Sequence, residues 1–138
     1  MFFKESKKDD ETNDLTKIAA LLIHAARIDE SYTFKEEEII KKTLLEIGAK
    51  KENLEKIIQD AKDIEKNSTQ ILDFTKKVKN MNQNNKIKIV ETLWRIIYSN
   101  KDADIYETSL MRKLAGLLYI DSDTMGNIKT KIQKEYSK

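Results

Sequence analysis

The side chains best placed to do chemistry lie in two short polar segments, Asp29-Glu-Ser-Tyr-Thr33-Phe-Lys-Glu36 and Asn100-Lys-Asp102-Ala-Asp104-Ile-Tyr-Glu107. Each offers oxygen atoms at its first, fifth and eighth positions, and oxygens that converge in this way suit a hard divalent cation such as Ca2+ or Mg2+. The candidate metal ligands are therefore Asp29, Glu36, Asn100, Asp104 and Glu107. In the second segment Asn100, Asp102 and Asp104 repeat the alternating spacing that opens an EF-hand loop. That loop also needs glycine at its sixth position and a bidentate glutamate at its twelfth, where this chain has Ile105 and Met111. With Lys101 in the turn and an amide at Asn100, only modest affinity is expected. The same residues also spell a capping box twice. Thr33 or Asp104 accepts from the amides of a new helix while Glu36 or Glu107 reaches back to the cap residue's own amide. Acidic residues in a first turn also complement the helix dipole. Capping needs no ligand and is the main role expected of these residues.

Other chemistry has little to stand on. His24 is the one histidine and cysteine is absent, so a nucleophile with an activating base has at most one base and no thiol. There is no glycine-rich phosphate loop, no His-Glu-x-x-His and no dinucleotide fingerprint. A non-catalytic chain is expected. The alternative is a weak metal-dependent hydrolase in which the turn carboxylates hold a cation and its water. Lys76-Lys77-Val-Lys79 together with Lys86 and Lys88 is the densest basic cluster, and a nucleic-acid or anionic-surface binder would use it. The whole chain has 26 basic and 24 acidic residues and a net charge of +2, short of the basic stripe that phosphate binding requires. No aromatic residue is interleaved for base stacking. The lysines read as a solvated helix face, nucleic acid is disfavoured, and peripheral membrane association and protein partners remain. Trp94 and Tyr98, four apart, could mark a partner face, but a tryptophan inside an apolar helix reads as core.

The elements that must position these residues are helices. The 138 residues contain no proline and only Gly48, Gly116 and Gly126, so nothing breaks a helix and few residues suit tight hairpins. Residues 1–13 are polar and aperiodic, which predicts a disordered leader. Leu15, Ile18, Ala19, Leu22, Ile23 and Ala26 then form one helix face. Phe34, Ile39, Ile40, Thr43, Leu44 and Ile47 form a second, closed by Gly48. A third helix carries Leu54, Ile57, Ile58, Ala61 and Ile64. Ser68 caps a fourth with Ile71, Leu72, Phe74 and Val78. The fifth runs from about Ile87 to Tyr98, after the asparagine-rich break at 80–85. The sixth carries Leu110, Met111, Leu114, Leu117 and Leu118, and the seventh Met125, Ile128 and Ile132. No apolar run approaches the roughly 18 residues of a membrane span and no apolar segment opens the chain, so a cytoplasmic protein is expected.

Adding 71 to the first-half numbers superimposes the two halves without a gap. Ile18 meets Ile89, Leu22 meets Leu93, Glu36 meets Glu107, Ile47 meets Leu118 and Ile57 meets Ile128. The breaks align as well. The expected fold is all-α, about seven helices in a compact bundle of two repeated helical units. One domain spans 14–138, with pseudo-repeats over about 14–66 and 84–137 and a linker helix over about 68–79.

These residues resemble the TerB-like family, named for a tellurite-resistance protein and also found at the amino-terminal side of the DjlA membrane co-chaperone. The family motif is a helix, then Ala-x-Ala-Asp-Gly-x-x-x-x-x-Glu or close to it, then a second helix, twice over. Ala25-Ala-Arg-Ile-Asp29 through Glu36 is similar to the first copy. Leu93-Trp-Arg-Ile-Ile-Tyr-Ser-Asn100 through Glu107, continuing to Leu118, is similar to the second. The glycine after the motif aspartate is Glu30 in one copy and Lys101 in the other, and the second aspartate is Asn100. The resemblance implies an all-helical fold, a non-catalytic role in stress-response assemblies near the cell envelope, and metal ions at the acidic motif positions. One fold hosts many tasks, so tellurite chemistry is not implied.

Overall fold

Apolar residues at helical spacing, uninterrupted by proline, give seven α-helices and one 3₁₀ turn, with no strand among the described residues. The helices of the computed structural model are α1 (Phe2–Ala26), α2 (Phe34–Glu46), α3 (Leu54–Asn67), α4 (Leu72–Lys79), α5 (Gln83–Ser99), α6 (Ile105–Leu117) and α7 (Ser122–Tyr136), with the 3₁₀ turn at Lys51–Asn53. The structure describes the backbone of residues 2–27, 33–67, 72–99 and 105–136, and the side chains of 14–27, 33–67, 74–99 and 109–136. Ser68, the expected cap of α4, lies outside the described residues.

The repeat is visible in the element bounds. α2 and α6 are each 13 residues long, and both ends of one are displaced by 71 from those of the other. Both terminate in the same way. The Ala49 amide donates to the Leu44 carbonyl at 2.8 Å and the Ile120 amide to the Ala115 carbonyl at 3.0 Å, a Schellman closure in each half. Among the described residues, the two with positive φ, Gly48 (120°) and Tyr119 (56°), occupy equivalent positions at these closures. Gly48 holds a φ that L side chains rarely adopt, whereas Tyr119 sits in the left-handed well that a side chain can occupy at a cost.

α1 and α5, equivalent in the repeat, form the centre. α1 packs against α2, α3, α4 and α5, and α5 packs against α2, α4 and α7. Surrounded in this way, α1 buries every residue from Ile18 to Ile23, together with Ala25 and Ala26. The sequence suggests a single apolar stripe here. The structure instead buries Ala20 and Leu21 too, because a helix apolar all round belongs inside. On α5 the core takes Ile89, Val90, Leu93, Trp94, Ile96 and Ile97. A polar contact crosses between the halves, since Thr43 Oγ1 of α2 and Thr92 Oγ1 of α5 lie 2.6 Å apart and buried.

Three details differ from the sequence reading. α1 begins at Phe2, where residues 1–13 are read as a disordered leader. No glycine or proline separates that segment from the packed turns, and extending an existing helix costs far less than starting one. Phe34, counted in the α2 stripe, is 76% exposed, and Ile64 is also exposed. Helix α5 starts at Gln83, inside the asparagine-rich stretch, because the Asn82 side chain accepts from the Asn85 amide at 2.8 Å and caps it.

Candidate functional site

α2 starts at the first polar segment, and Glu36 is the one candidate ligand whose side chain the structure describes. It is fully buried. Its Oε1 accepts from the Thr33 amide and from the Thr33 hydroxyl, both at 2.9 Å, while the Glu36 amide donates to Thr33 Oγ1 at 3.2 Å. Both halves of the capping box are present. The β-region backbone of Thr33 (φ −96°, ψ 161°) is what directs its hydroxyl at the open amides of the next turn. Asp29, Asn100 and Asp104 lie outside the described residues. Glu107 belongs to α6, but its side chain lies outside them too. Among the described residues no group of three or more His, Cys, Asp or Glu side chains could hold a metal ion.

His24, at the end of α1, has its Nδ1 3.6 Å from Glu65 Oε2 of α3, and Glu65 Oε1 takes Arg27 Nη1 at 2.8 Å. The second half repeats the pattern with different residues. Arg95, the counterpart of His24, donates through Nε and Nη2 to the two carboxylate oxygens of Glu135 of α7, both at 3.1 Å. In each half a basic side chain at or beside the end of the central helix meets a glutamate near the end of the third helix, and His24 lies beside that pair in the first half. The basic run is dispersed. Lys77 pairs with Asp14 at 3.1 Å, Lys79 Nζ lies 4.5 Å above the Tyr119 ring and Lys86 is only 7% exposed. These lysines do not present one continuous charged face.

Trp94 is core, 2% exposed, and stacks on Tyr98 with ring centroids 5.9 Å apart. It also borders an opening that the sequence reading missed. Between α5, α6 and α7 lies a cavity of about 240 Å³, walled by Trp94, Met111, Ala115, Met125 and Gly126, with Arg112 and Lys129 among its lining residues. The Trp94 indole Nε1 is buried without a hydrogen-bond partner, and Lys129 Nζ stands 5.4 Å from the ring centroid. The 71-residue offset was the available signal, because it sets Ala115 opposite Leu44 and Gly126 opposite Glu55.

A repeated helix pair with a capped first turn, covering nearly the whole chain, is the arrangement against which known families can be compared. A family model described as tellurite resistance protein TerB matches residues 15–130. The chain belongs to the TerB family. No curated protein and no solved structure matches it. The match begins at Leu15, within α1, and it takes in both polar segments and the cavity. No described helix of this TerB protein is long and apolar enough to cross a membrane.

Proposed function

We propose that this TerB-family chain is a non-catalytic helical interaction module that binds protein partners in a stress response, and that its two polar turns respond to a divalent cation. The observation that supports the non-catalytic part most directly is the capping box at Glu36. A carboxylate that holds the start of a helix is already engaged in structure, and it is a poor candidate for moving protons at a substrate. His24, the one imidazole, is likewise placed beside Glu65 and Arg27.

The turns would be responsive for the same reason. A cation drawn to Asp29 and Glu36 competes with the hydrogen bonds that define where α2 begins, and one drawn to Asn100, Asp104 and Glu107 would act in the same way at the start of α6. Binding there changes the pitch of a helix start and of the surface beside it. The donor chemistry, carboxylate and amide oxygens, fits Ca2+ or Mg2+ in preference to softer ions.

The test is a thermal melt of metal-stripped protein with and without millimolar Ca2+ or Mg2+, repeated with Asp29, Asp104 and Glu107 changed to alanine. A ligand at about 100 times its dissociation constant adds about 2.7 kcal/mol of stability. The expected result is a rise in melting temperature in the parent that the triple variant lacks. No rise in the parent, with the alanine changes still lowering the melting temperature, would reduce the turns to caps and remove the cation from the proposal.

A further inference from the structure

The two halves of the fold bury most of the same positions, and they do not fill them equally: Leu44 and Ile58 are buried, whereas their counterparts Ala115 and Lys129 are only half-buried. In the first half the space between the equivalents of α5, α6 and α7 is occupied by Ile23, Ile40, Leu44, Leu54 and Ile58, all buried. Their counterparts in the second half are Trp94, Met111, Ala115, Met125 and Lys129. Leucine has become alanine on one wall, and on the opposite wall the residue facing Glu55 in the repeat is Gly126. A Cβ built on Gly126 would meet nothing within 4 Å, so no close contact requires glycine inside α7, where it weakens the helix. Trp94 is larger than Ile23, but its ring stacks on Tyr98 and borders the space that remains. The result is the 240 Å³ cavity.

Its chemistry is one-sided. The walls are apolar apart from Ser122, and the charged residues lining it are both cations, Arg112 and Lys129. Lys129 replaces an isoleucine that in the first half is core. The Trp94 Nε1 donor is buried with no acceptor, an unsatisfied group of the kind native interiors rarely keep. The space is open to solvent on one side, and with liquid water occupying about 30 Å³ per molecule it has room for roughly eight waters, enough for the apolar body of a small ligand whose polar end stays at the mouth.

We infer that the second half of this chain holds a binding site for a small amphipathic carboxylate, whose apolar body lies between Trp94, Met111, Ala115 and Met125 and whose anionic group meets Lys129 and Arg112. The first half is the same site filled by its own side chains. This site is independent of the turns and of any cation there.

Trp94 is the only tryptophan, so its fluorescence reports on the cavity. The probe is octanoate, with octan-1-ol as its uncharged equivalent. A saturable fluorescence change at millimolar octanoate or below is expected, with octan-1-ol and the Lys129→Met variant each weaker by about 10-fold at low salt. Ala115→Leu, which restores the side chain found at Leu44, should abolish the response while circular dichroism confirms the fold. Should that variant not fold, methyl spectra of the parent decide: octanoate must shift Met111, Ala115 and Met125 before other methyl groups. An absent or non-saturable response in the parent overturns the site, as does unchanged binding in folded Ala115→Leu. Equal binding of octan-1-ol overturns the anionic assignment and points to an apolar side chain of a protein partner as the occupant.

Discussion

At the scale of single residues, two glycines make opposite demands. Gly48 closes α2 at φ 120°, a conformation that an added Cβ strains, so Gly48→Ala should lower the unfolding free energy by about 1–3 kcal/mol. Gly126 lies within α7 with open space around its missing Cβ, so Gly126→Ala should raise it by up to about 1 kcal/mol through helix propensity alone. Urea unfolding of both variants checks the pair, and equal effects of the same sign would refute the distinction. Thr33→Ala tests the cap itself. It removes the acceptor of the Glu36 amide and one of the two donors to the buried Glu36 carboxylate, because alanine keeps the backbone N–H and lacks the hydroxyl. A loss of about 1–2 kcal/mol is expected. Glu36 was legible as a cap because a capping box has a fixed four-residue spacing. Its complete burial was not, since burial depends on what packs over the turn.

At the scale of elements, α7 depends on charge at both ends. Asp121 is held below its ordinary carboxylate range chiefly by the Thr124 amide, which donates to it at 2.6 Å, and also by the Thr124 side chain, against a small desolvation effect. Glu135 is held below its ordinary range by the Arg95 hydrogen bond first, opposed by desolvation and aided by the Arg95 charge. A carboxylate whose folded pKa is depressed contributes stability that is fully present above its unfolded pKa and is lost as pH falls through the folded value. The melting temperature should therefore hold from neutrality down to about pH 5 and fall below about pH 4, where unfolded carboxylates take up protons. Asp121→Asn keeps a good cap without a titrating group, and its acid loss should be smaller than the parent's. A pH profile of the melting temperature for both proteins gives the answer. At this scale the sequence was most informative. Apolar spacing located every helix, and Gly48 marked the end of α2. The start of α5 at Gln83 was hidden because asparagine reads as an interruption and serves here as a cap. The depth of α1 was hidden because periodicity reports a face and cannot report that neighbours cover the opposite face as well.

At the scale of the whole molecule, the central contact between α1 and α5 ties the halves together, so they should unfold as one. Trp94 fluorescence and far-ultraviolet dichroism are expected to give coincident urea transitions, and separated midpoints would show independent halves. The offset of 71 was readable in the chain and foretold the doubled architecture. The cavity was not, because an alanine opposite a leucine becomes a void only when its neighbours fail to close over it. A chain made of two similar parts carries a hazard that most folds escape, in that either part can dock on the wrong counterpart, including that of another molecule. The hydroxyl pair Thr43 and Thr92 acts against this. Their counterparts in the repeat, Leu114 and Leu21, are both fully buried and apolar. Exchanging the two arrangements would press hydroxyls against leucine, leaving groups stranded at about 1–3 kcal/mol each. Two methyl-for-hydroxyl exchanges, Thr43→Val and Thr92→Val together, would strip the chain of its sense of left and right, and size-exclusion chromatography should then find interlocked dimers where the parent runs as a single species.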